Sequence, residues 1–328
     1  MRNIAVLTSG GDSPGMNAAV RAVVRVGRSA GLNVFGVRRG YEGLIHAELE
    51  QMPLGSVSNW VNSGGSKLEC ARSQEMFKLS GQKRAVQTLR NWDIDGLVVI
   101  GGDGSFRGAS KLVKLGARVV GAPGTIDNDI PGIDNTIGFD TAVNTLTYCI
   151  NQLRDTAESH QRTFVVEAMG RHSGHIALHA GISGGADIIL VPEITWNEKS
   201  VVRMVQRRID QGKKFHLIVM AEGAGRAIKK PDYGAFELVN YIDENTPASV
   251  TVRGCMPGHI QRGGAPTAAD RIYATRCGKA AVEALLNGTN GVMVGELNGQ
   301  MVEVPLKNAV RGSRRIDREL YNLATQVS

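Results

Sequence analysis

Three polar side chains at alternate positions follow an apolar run in the middle of this 328-residue chain. Thr125, Asp127 and Asp129 come directly after residues 119–122, which have the composition of a buried strand. If the segment stays extended, these side chains point to the same side of the backbone. A hydroxyl group and two carboxylates at a strand end indicate a site that deprotonates a hydroxyl or holds a magnesium ion.

A glycine-rich segment follows the first apolar run. Residues 8–17 read Thr-Ser-Gly-Gly-Asp-Ser-Pro-Gly-Met-Asn, and their glycines, Gly11 among them, let the backbone approach a phosphate before a helix begins. The segment lacks the lysine of a P-loop and does not fit the dinucleotide pattern. An ordinary strand-to-helix turn is the alternative interpretation.

A single carboxylate marks the next glycine-rich segment, where residues 99–105 read Val-Ile-Gly-Gly-Asp-Gly-Ser. Asp103 suits a magnesium ion that bridges phosphate oxygens. The same short pattern occurs in unrelated kinases, so by itself it indicates a phosphate donor only in general terms.

Two further segments combine cations with glycines. Residues 167–171 end in Met169, Gly170 and Arg171, and residues 253–264 include His259 and three arginine or glutamine side chains among glycines. A lone histidine is usually structural, but one among glycines and arginines favours a contact to a phosphate monoester.

Composition excludes several classes of protein. The net charge of +7 invites a nucleic-acid partner, but aromatic residues make up only 5% of the chain and no basic tract occurs. No apolar stretch reaches the length of about 18 residues that spans a bilayer. The four cysteines form no metal-type pair, and a strand begins almost at once after Met1. We therefore expect a cytoplasmic protein with reduced thiols and no nucleic-acid or membrane partner.

Apolar runs alternate with amphipathic stretches along the chain, which predicts a layered α/β fold with a mostly parallel sheet. Residues 141–153 follow helical spacing. Residues 223–250 are the least patterned and are expected to form a surface excursion. The predicted strands are 4–7, 96–100, 119–122, 164–168, 188–191 and 217–221.

Together, the four segments resemble the ATP-dependent 6-phosphofructokinases of bacterial type, in the same order along the chain. The resemblance covers residues 3 to about 223 and 253 to about 286. It implies two doubly wound, Rossmann-like α/β lobes with the active site in the cleft between them. Residues 1–140 plus 258–305 would form the ATP-binding lobe, and residues 141–257 plus 306–328 the sugar-phosphate lobe.

The resemblance also implies residue roles. Asp127 would accept the proton of the sugar 1-hydroxyl, Thr125 and Asp129 would place the sugar and the metal, and Asp103 would bind Mg²⁺. Arg72 and Arg171 would stabilise charge on the transferring phosphoryl group. The positions matching ATP contacts are Gly11, Arg72, Ser73, Gly102, Asp103, Gly104 and Ser105. The positions matching fructose 6-phosphate contacts are Thr125, Ile126, Asp127, Arg162, Met169, Gly170, Arg171, Glu222, Arg253, His259 and Arg262.

The resemblance further implies self-association, because the family draws the arginines matching Arg162 and Arg253 from a neighbouring subunit. A homotetramer with shared active sites is therefore expected.

Two glycines bear on the phosphate donor. Pyrophosphate-using relatives commonly carry Asp and Lys at the positions of Gly104 and Gly124, whereas both are glycine here. This favours ATP. Arg107 lies in the region that contacts the nucleoside, where it either stacks on adenine or is a solvated surface residue.

A second phosphate site, for ADP or phosphoenolpyruvate, is present in the family. The matching positions are Arg21, Arg25, Arg154, Asp187 and Lys213. Arg21 and Arg25 are equally explained as the solvated face of an amphipathic helix. Leu54 and Gln211 replace basic residues of well-regulated members, so we expect a weakened or altered effector response.

Three alternatives to an ATP-dependent kinase are considered. A pyrophosphate-dependent enzyme is the nearest. A non-catalytic regulatory subunit that binds nucleotide or sugar phosphate would need a broken site, but Asp103, Asp127 and Arg171 are all present. A nicotinamide oxidoreductase would need a dinucleotide fingerprint, which the sequence lacks.

Overall fold

The computed structural model describes residues 1–327 and consists of two compact units. Unit 1 comprises Met1–Ile126, Ile130–Thr141 and Arg262–Arg314. Unit 2 comprises Asp127–Asp129, Ala142–Gln261 and the tail that begins at Arg315. The chain therefore passes between the units several times.

Eleven strands are present in the described residues. They are β1 (Asn3–Ser9), β2 (Asn33–Val37), β3 (Leu49–Gln51), β4 (Gly96–Gly101), β5 (Val119–Pro123), β6 (Arg162–Ala168), β7 (Ile188–Leu190), β8 (His216–Ala221), β9 (Thr251–Cys255), β10 (Val292–Leu297) and β11 (Gln300–Pro305).

Eleven α-helices and several short 3₁₀ turns connect these strands in residues 1–327. The helices are α1 (Met16–Ser29), α2 (Gly40–Ile45), α3 (Leu79–Asn91), α4 (Asp103–Lys114), α5 (Phe139–His160), α6 (His175–Ser183), α7 (Glu198–Asp210), α8 (Ala235–Asn245), α9 (Ala268–Leu286), α10 (Leu306–Ala309) and α11 (Arg318–Val327).

Unit 1 is a seven-stranded sheet in the order β11-β10-β5-β4-β1-β2-β3, with antiparallel strands only at its two edges. Successive residues of each central strand face opposite sides. Ile4 and Val6 pack with α1 and α9 in one core, whereas Ala5 and Leu7 pack with α2, α3 and α4 in the other. Helices on both faces define a doubly wound sheet, which brings the carboxyl ends of β1, β4 and β5 to one edge.

Unit 2 is a four-stranded parallel sheet in the order β7-β8-β6-β9. Every residue of β8 is buried, as expected for a strand covered on both faces. Helices α6 and α8 pack against this sheet.

The six predicted strands and the helix in residues 141–153 are confirmed, although α5 begins two residues earlier and continues to His160. The prediction for residues 223–250 was wrong. This segment contains a 3₁₀ turn and α8, and Ala235, Leu238 and Ile242 are fully buried. Its polar composition hid three apolar residues that lie on one helix face. Among residues 1–327, no helix is both long enough and apolar enough to cross a membrane.

Candidate active site

The loop between β1 and α1 is the first part of the candidate donor site in unit 1. Gly10 and Gly15 adopt φ values of 90° and 102°, a region that favours glycine. The side-chain Nδ2 of buried Asn17 donates to the carbonyl oxygens of residues 63–65. Its side-chain Oδ1 accepts a hydrogen bond from the backbone amide of Lys67 at 2.8 Å. These bonds attach the segment leading to exposed Arg72 to the first turn of α1.

Arg262 lies against this loop, and both belong to unit 1. Its Nη1 donates to the Asp12 carbonyl oxygen at 3.0 Å, and the guanidinium occupies the space that a side chain at Gly11 would need. The structure therefore brings together two residues that are 251 positions apart and that match contacts to different substrates.

Asp103 is the second element of the donor site. It lies in the first turn of α4, where the helix dipole stabilises a carboxylate. Arg107, one turn later, donates from Nε to the Asp103 carboxylate oxygens at 3.1 and 3.2 Å. The Arg107 side chain is 60% exposed, which agrees with its interpretation as a surface residue, whereas stacking on adenine stays a prediction.

Tyr41 packs against the segment that carries Asp103 and forms a hydrogen bond with it. Its ring is buried, and its hydroxyl donates to the Ser105 carbonyl oxygen at 2.6 Å. A Cβ at Gly108 would lie 2.8 Å from this ring. Burial also raises the pKa of Tyr41 well above its ordinary value, so the hydroxyl remains a donor.

The residues fit a magnesium ion that arrives with a nucleotide. Among the described residues, no group of three His, Cys, Asp or Glu side chains could hold a metal ion alone. Mg²⁺ commonly uses one or two carboxylates together with substrate phosphates and water. Asp103, with 38% of its side chain exposed, can supply such a carboxylate.

The prediction that Thr125, Asp127 and Asp129 point to the same side assumed an extended backbone. The structure corrects this assumption, because residues 125–129 are not extended. The backbone bends at Ile126 and Asp127, and Asn128 has a φ of 50°. Burial nevertheless alternates, because Ile126 and Asn128 are buried while the three predicted polar side chains are partly exposed. The bent backbone thus leaves the three polar side chains accessible. The alternation of polar and apolar residues in the sequence does not reveal this bend.

In unit 2, the loop after β6 carries the predicted Met169, Gly170 and Arg171. Gly170 and Arg171 have φ values of 139° and 56°. Both of their amides donate to Glu222 Oε1, and the Met169 amide donates to Gln261 Oε1 at 3.1 Å. The backbone of residues 169–171 is therefore held by two side chains, one of which, Glu222, is itself a predicted acceptor residue.

Further predicted acceptor residues lie on β6 and on the edge strand β9 of the unit 2 sheet. Arg162 begins β6 and pairs in register with Thr251, and Arg253 lies two residues further along β9. His259 follows on the surface, and Arg253 Nη1 donates to the Val252 carbonyl oxygen at 2.8 Å.

The predicted effector residues of unit 2 bind groups of the protein itself. Asp187 is buried and accepts from Arg208, Lys213 and the Leu217 amide. Arg154 donates to the Gly185 carbonyl oxygen at 2.8 Å. On α1 of unit 1, Arg21 is partly exposed and Arg25 is exposed, opposite an apolar buried face.

The two glycines that bear on the donor have different surroundings. A side chain at Gly104 would meet open space, with no atom within 4 Å. A Cβ at Gly124 would lie 2.9 Å from both Ile100 Cγ2 and Met16 Cε. In this chain, packing therefore also disfavours a side chain at position 124, so Gly104 is the clearer basis for the donor argument.

Comparison with known proteins identifies the family. The phosphofructokinase family model matches residues 3–285. The chain belongs to the phosphofructokinase family. It is 48% identical over 328 residues to the ATP-dependent 6-phosphofructokinases of Shouchella clausii and of Clostridium botulinum strain Loch Maree, covering 100% of this chain and of each relative.

Solved phosphofructokinases share the fold. The Saccharomyces cerevisiae structure matches with a TM-score of 0.87 at 37% identity, and the alignment covers 100% of this chain but 47% of the yeast chain. A pyrophosphate-dependent phosphofructokinase from Marinobacter aquaeolei matches with a TM-score of 0.85 at 23% identity, covering 97% of this chain and 86% of its own. The phosphofructokinase fold predicted from the sequence is confirmed.

Several positioning residues were missed from the sequence. Tyr41, Gln261, Ser173 and Arg208 each contact a predicted site residue or its loop. For Gln261, its position between Gly258 and Arg262 was the available signal. Arg208 lies among other charged residues of an amphipathic helix. Nothing in the local sequence therefore distinguished it from a solvent-exposed residue.

Proposed function

We propose that this phosphofructokinase transfers the γ-phosphate of ATP to the 1-hydroxyl of D-fructose 6-phosphate, giving fructose 1,6-bisphosphate and ADP. This is the committing step of glycolysis, and we place it in the cytoplasm. One observation carries the proposal: the chain is 48% identical over its full length to enzymes named for this activity.

Unit 1 would bind the nucleotide. The β1–α1 loop and the first turn of α4 present backbone amides and glycines, which suit phosphate oxygens. Arg72 would neutralise charge on the γ-phosphoryl group. Bound through Asp103, Mg²⁺ would supply charge neutralisation between phosphate oxygens.

Unit 2 would bind the sugar phosphate and hold the base. Asp127 would accept the proton of the 1-hydroxyl as that oxygen attacks phosphorus, and Arg171 would stabilise the transferring charge. The Glu222 and Gln261 bonds to the loop at residues 169–171 support this role, because they fix the backbone that carries Arg171.

The finer partners belong to the same proposal. We infer a homotetramer in which Arg162 and Arg253 serve a neighbouring subunit's acceptor site. ADP or phosphoenolpyruvate would act as an effector at most weakly, because Asp187 and Arg154 already bind groups of the protein.

The test is a coupled assay with fructose 6-phosphate that compares ATP with pyrophosphate. We expect turnover with ATP and a kcat that falls by about 10²–10⁴ in Asp127→Asn, the usual value of general-base help. Exposed Asp243→Asn in the same unit is the control, with activity unchanged. Faster turnover with pyrophosphate, or near-normal kcat in Asp127→Asn, would overturn the proposal.

A further inference from the structure

Ser173 connects the proposed general base to the rest of unit 2. Its Oγ donates to the Asp127 carbonyl oxygen at 2.8 Å, and the residue is only 2% exposed. The same Oγ accepts from the His175 amide at 3.3 Å, in the first turn of α6. The hydroxyl therefore lies between a helix terminus and the backbone of Asp127.

The region around Ser173 is well anchored. Helix α6 packs on β6, β7 and β8, and six of its nine residues are buried. The neighbouring Gly174 amide donates to the carboxylate of Glu193 at 2.9 Å. A hydrogen bond from this position can therefore hold the Asp127 backbone against a rigid element.

Ser173 also closes the turn that carries Arg171. Its amide donates to the Gly170 carbonyl oxygen at 2.9 Å, across a turn in which Arg171 has a φ of 56°. One residue thus bonds to the backbone of the base and to the loop of the charge-stabilising arginine. The side-chain hydroxyl makes the first of these bonds and the backbone amide makes the second, so only the first depends on the serine side chain.

We propose that Ser173 is a positioning residue for catalysis, which fixes the direction of the Asp127 carboxylate through the backbone carbonyl of that residue. The inference rests on the proposed function. The bond restrains the dihedral angles that follow Asp127, next to Asn128 with its φ of 50°. Those angles help to set where the carboxylate points. A displaced base is expected to lower kcat more than it changes the binding of the substrate.

The first experiment measures kcat and KM in Ser173→Ala. We expect kcat to fall about tenfold, which is part of the 10²–10⁴-fold acceleration that a general base supplies. The KM values for both substrates should stay within about twofold of those of the wild type. Ser173→Thr retains the hydroxyl and should restore most of the kcat. An unchanged kcat in Ser173→Ala would contradict the inference.

A matched control separates positioning from stability. Thr163 is also 2% exposed and also makes a buried side-chain hydrogen bond in unit 2, to His216. Thr163→Val should lower the melting temperature as Ser173→Ala does while leaving kcat unchanged. Equal kcat losses in the two variants would show a merely structural effect and overturn the inference.

A double-mutant cycle gives the sharpest result. In the Asp127→Asn background, Ser173→Ala should lower kcat no further, because the group that it positions is already gone. A full tenfold loss there would overturn the inference. Should Ser173→Ala not fold, Ser173→Cys, a weaker donor of similar size, must show an intermediate kcat loss, and a wild-type kcat would contradict the proposal.

The wild-type assay distinguishes the two levels of failure. Absence of ATP-dependent turnover of fructose 6-phosphate would overturn the proposed function and this inference with it. Wild-type turnover together with an unaffected Ser173→Ala would overturn the inference alone.

Discussion

The guanidinium of Arg262 lies against the backbone of Gly11 and donates to the carbonyl oxygen of the next residue, Asp12, at 3.0 Å. Gly11 matches an ATP contact and Arg262 a fructose 6-phosphate contact, so one packing relationship couples the two predicted sets within unit 1. A side chain at Gly11 cannot be added without moving this guanidinium.

Gly11→Ala is therefore expected to weaken the use of fructose 6-phosphate as well as ATP. The far end of a flexible arginine can move, so we expect the free energy of unfolding to change by less than about 1 kcal/mol. Steady-state kinetics should show a raised KM for both substrates. In Gly11→Ala/Arg262→Ala, the effects should be clearly less than additive, and full additivity would contradict the coupling.

Gly104 provides a test of donor choice. Because a side chain there meets open space, Gly104→Ala should retain ATP-dependent activity. Gly104→Asp adds a negative charge beside the proposed phosphates and should lower kcat/KM for ATP by about tenfold or more, a difference of about 1.4 kcal/mol. Rates with ATP and pyrophosphate for both variants check this. Equal effects of Ala and Asp would show that bulk, and not charge, decides.

Regulation by phosphate-bearing effectors is expected to be weak. Leu54 and Gln211 are both exposed and offer no positive charge, and Asp187 is already bound by Arg208 and Lys213. Initial rates against fructose 6-phosphate should shift little with phosphoenolpyruvate or ADP. Strong, cooperative inhibition by low phosphoenolpyruvate would contradict this expectation.

Restoring a basic residue tests the cause of that weak response. Gln211→Arg should strengthen effector binding by about tenfold to a hundredfold, since a charged hydrogen bond contributes about 1.5–3 kcal/mol. Gln211→Ala is the matched control and should behave like the wild type. If the two variants respond alike, the missing charge at position 211 is not the reason.

Stability should decrease in mild acid because of His216. This side chain is 1% exposed beside Thr163, and burial lowers its pKa from 6.5 to about 4, with Asp187, Lys213 and Arg208 nearby. The unfolded chain binds a proton below about pH 6.5, whereas folded His216 binds one only near pH 4. Its stabilising contribution is therefore complete above pH 6.5 and is lost as pH falls towards 4.

Thermal unfolding between pH 7 and pH 4.5 checks this expectation. The contribution of His216 to the slope is at most about 1.4 kcal/mol per pH unit. His216→Asn should flatten the decline, whereas exposed His160→Asn should leave it unchanged. Identical slopes in the wild type and His216→Asn would contradict the assignment.

Local sequence patterns by themselves determined the six predicted strands, the helix predicted for residues 141–153 and the glycine loops at strand ends. Apolar runs and turn residues act over a few positions, so their periodicity survives in the printed sequence. Asp103, Asp127 and Arg171 could be selected as candidates for the same reason, because each follows a strand within a short motif.

Tertiary structure alone decided how those motifs are held. Ser173 meets Asp127 across 46 positions, and Gln261 meets Met169 across 92. Gly124, which the sequence linked only to the choice of phosphate donor, also packs closely against Ile100 and Met16. These contacts join segments far apart in the chain, and a hydrogen bond or a filled volume between distant residues leaves no local periodicity from which it could be predicted.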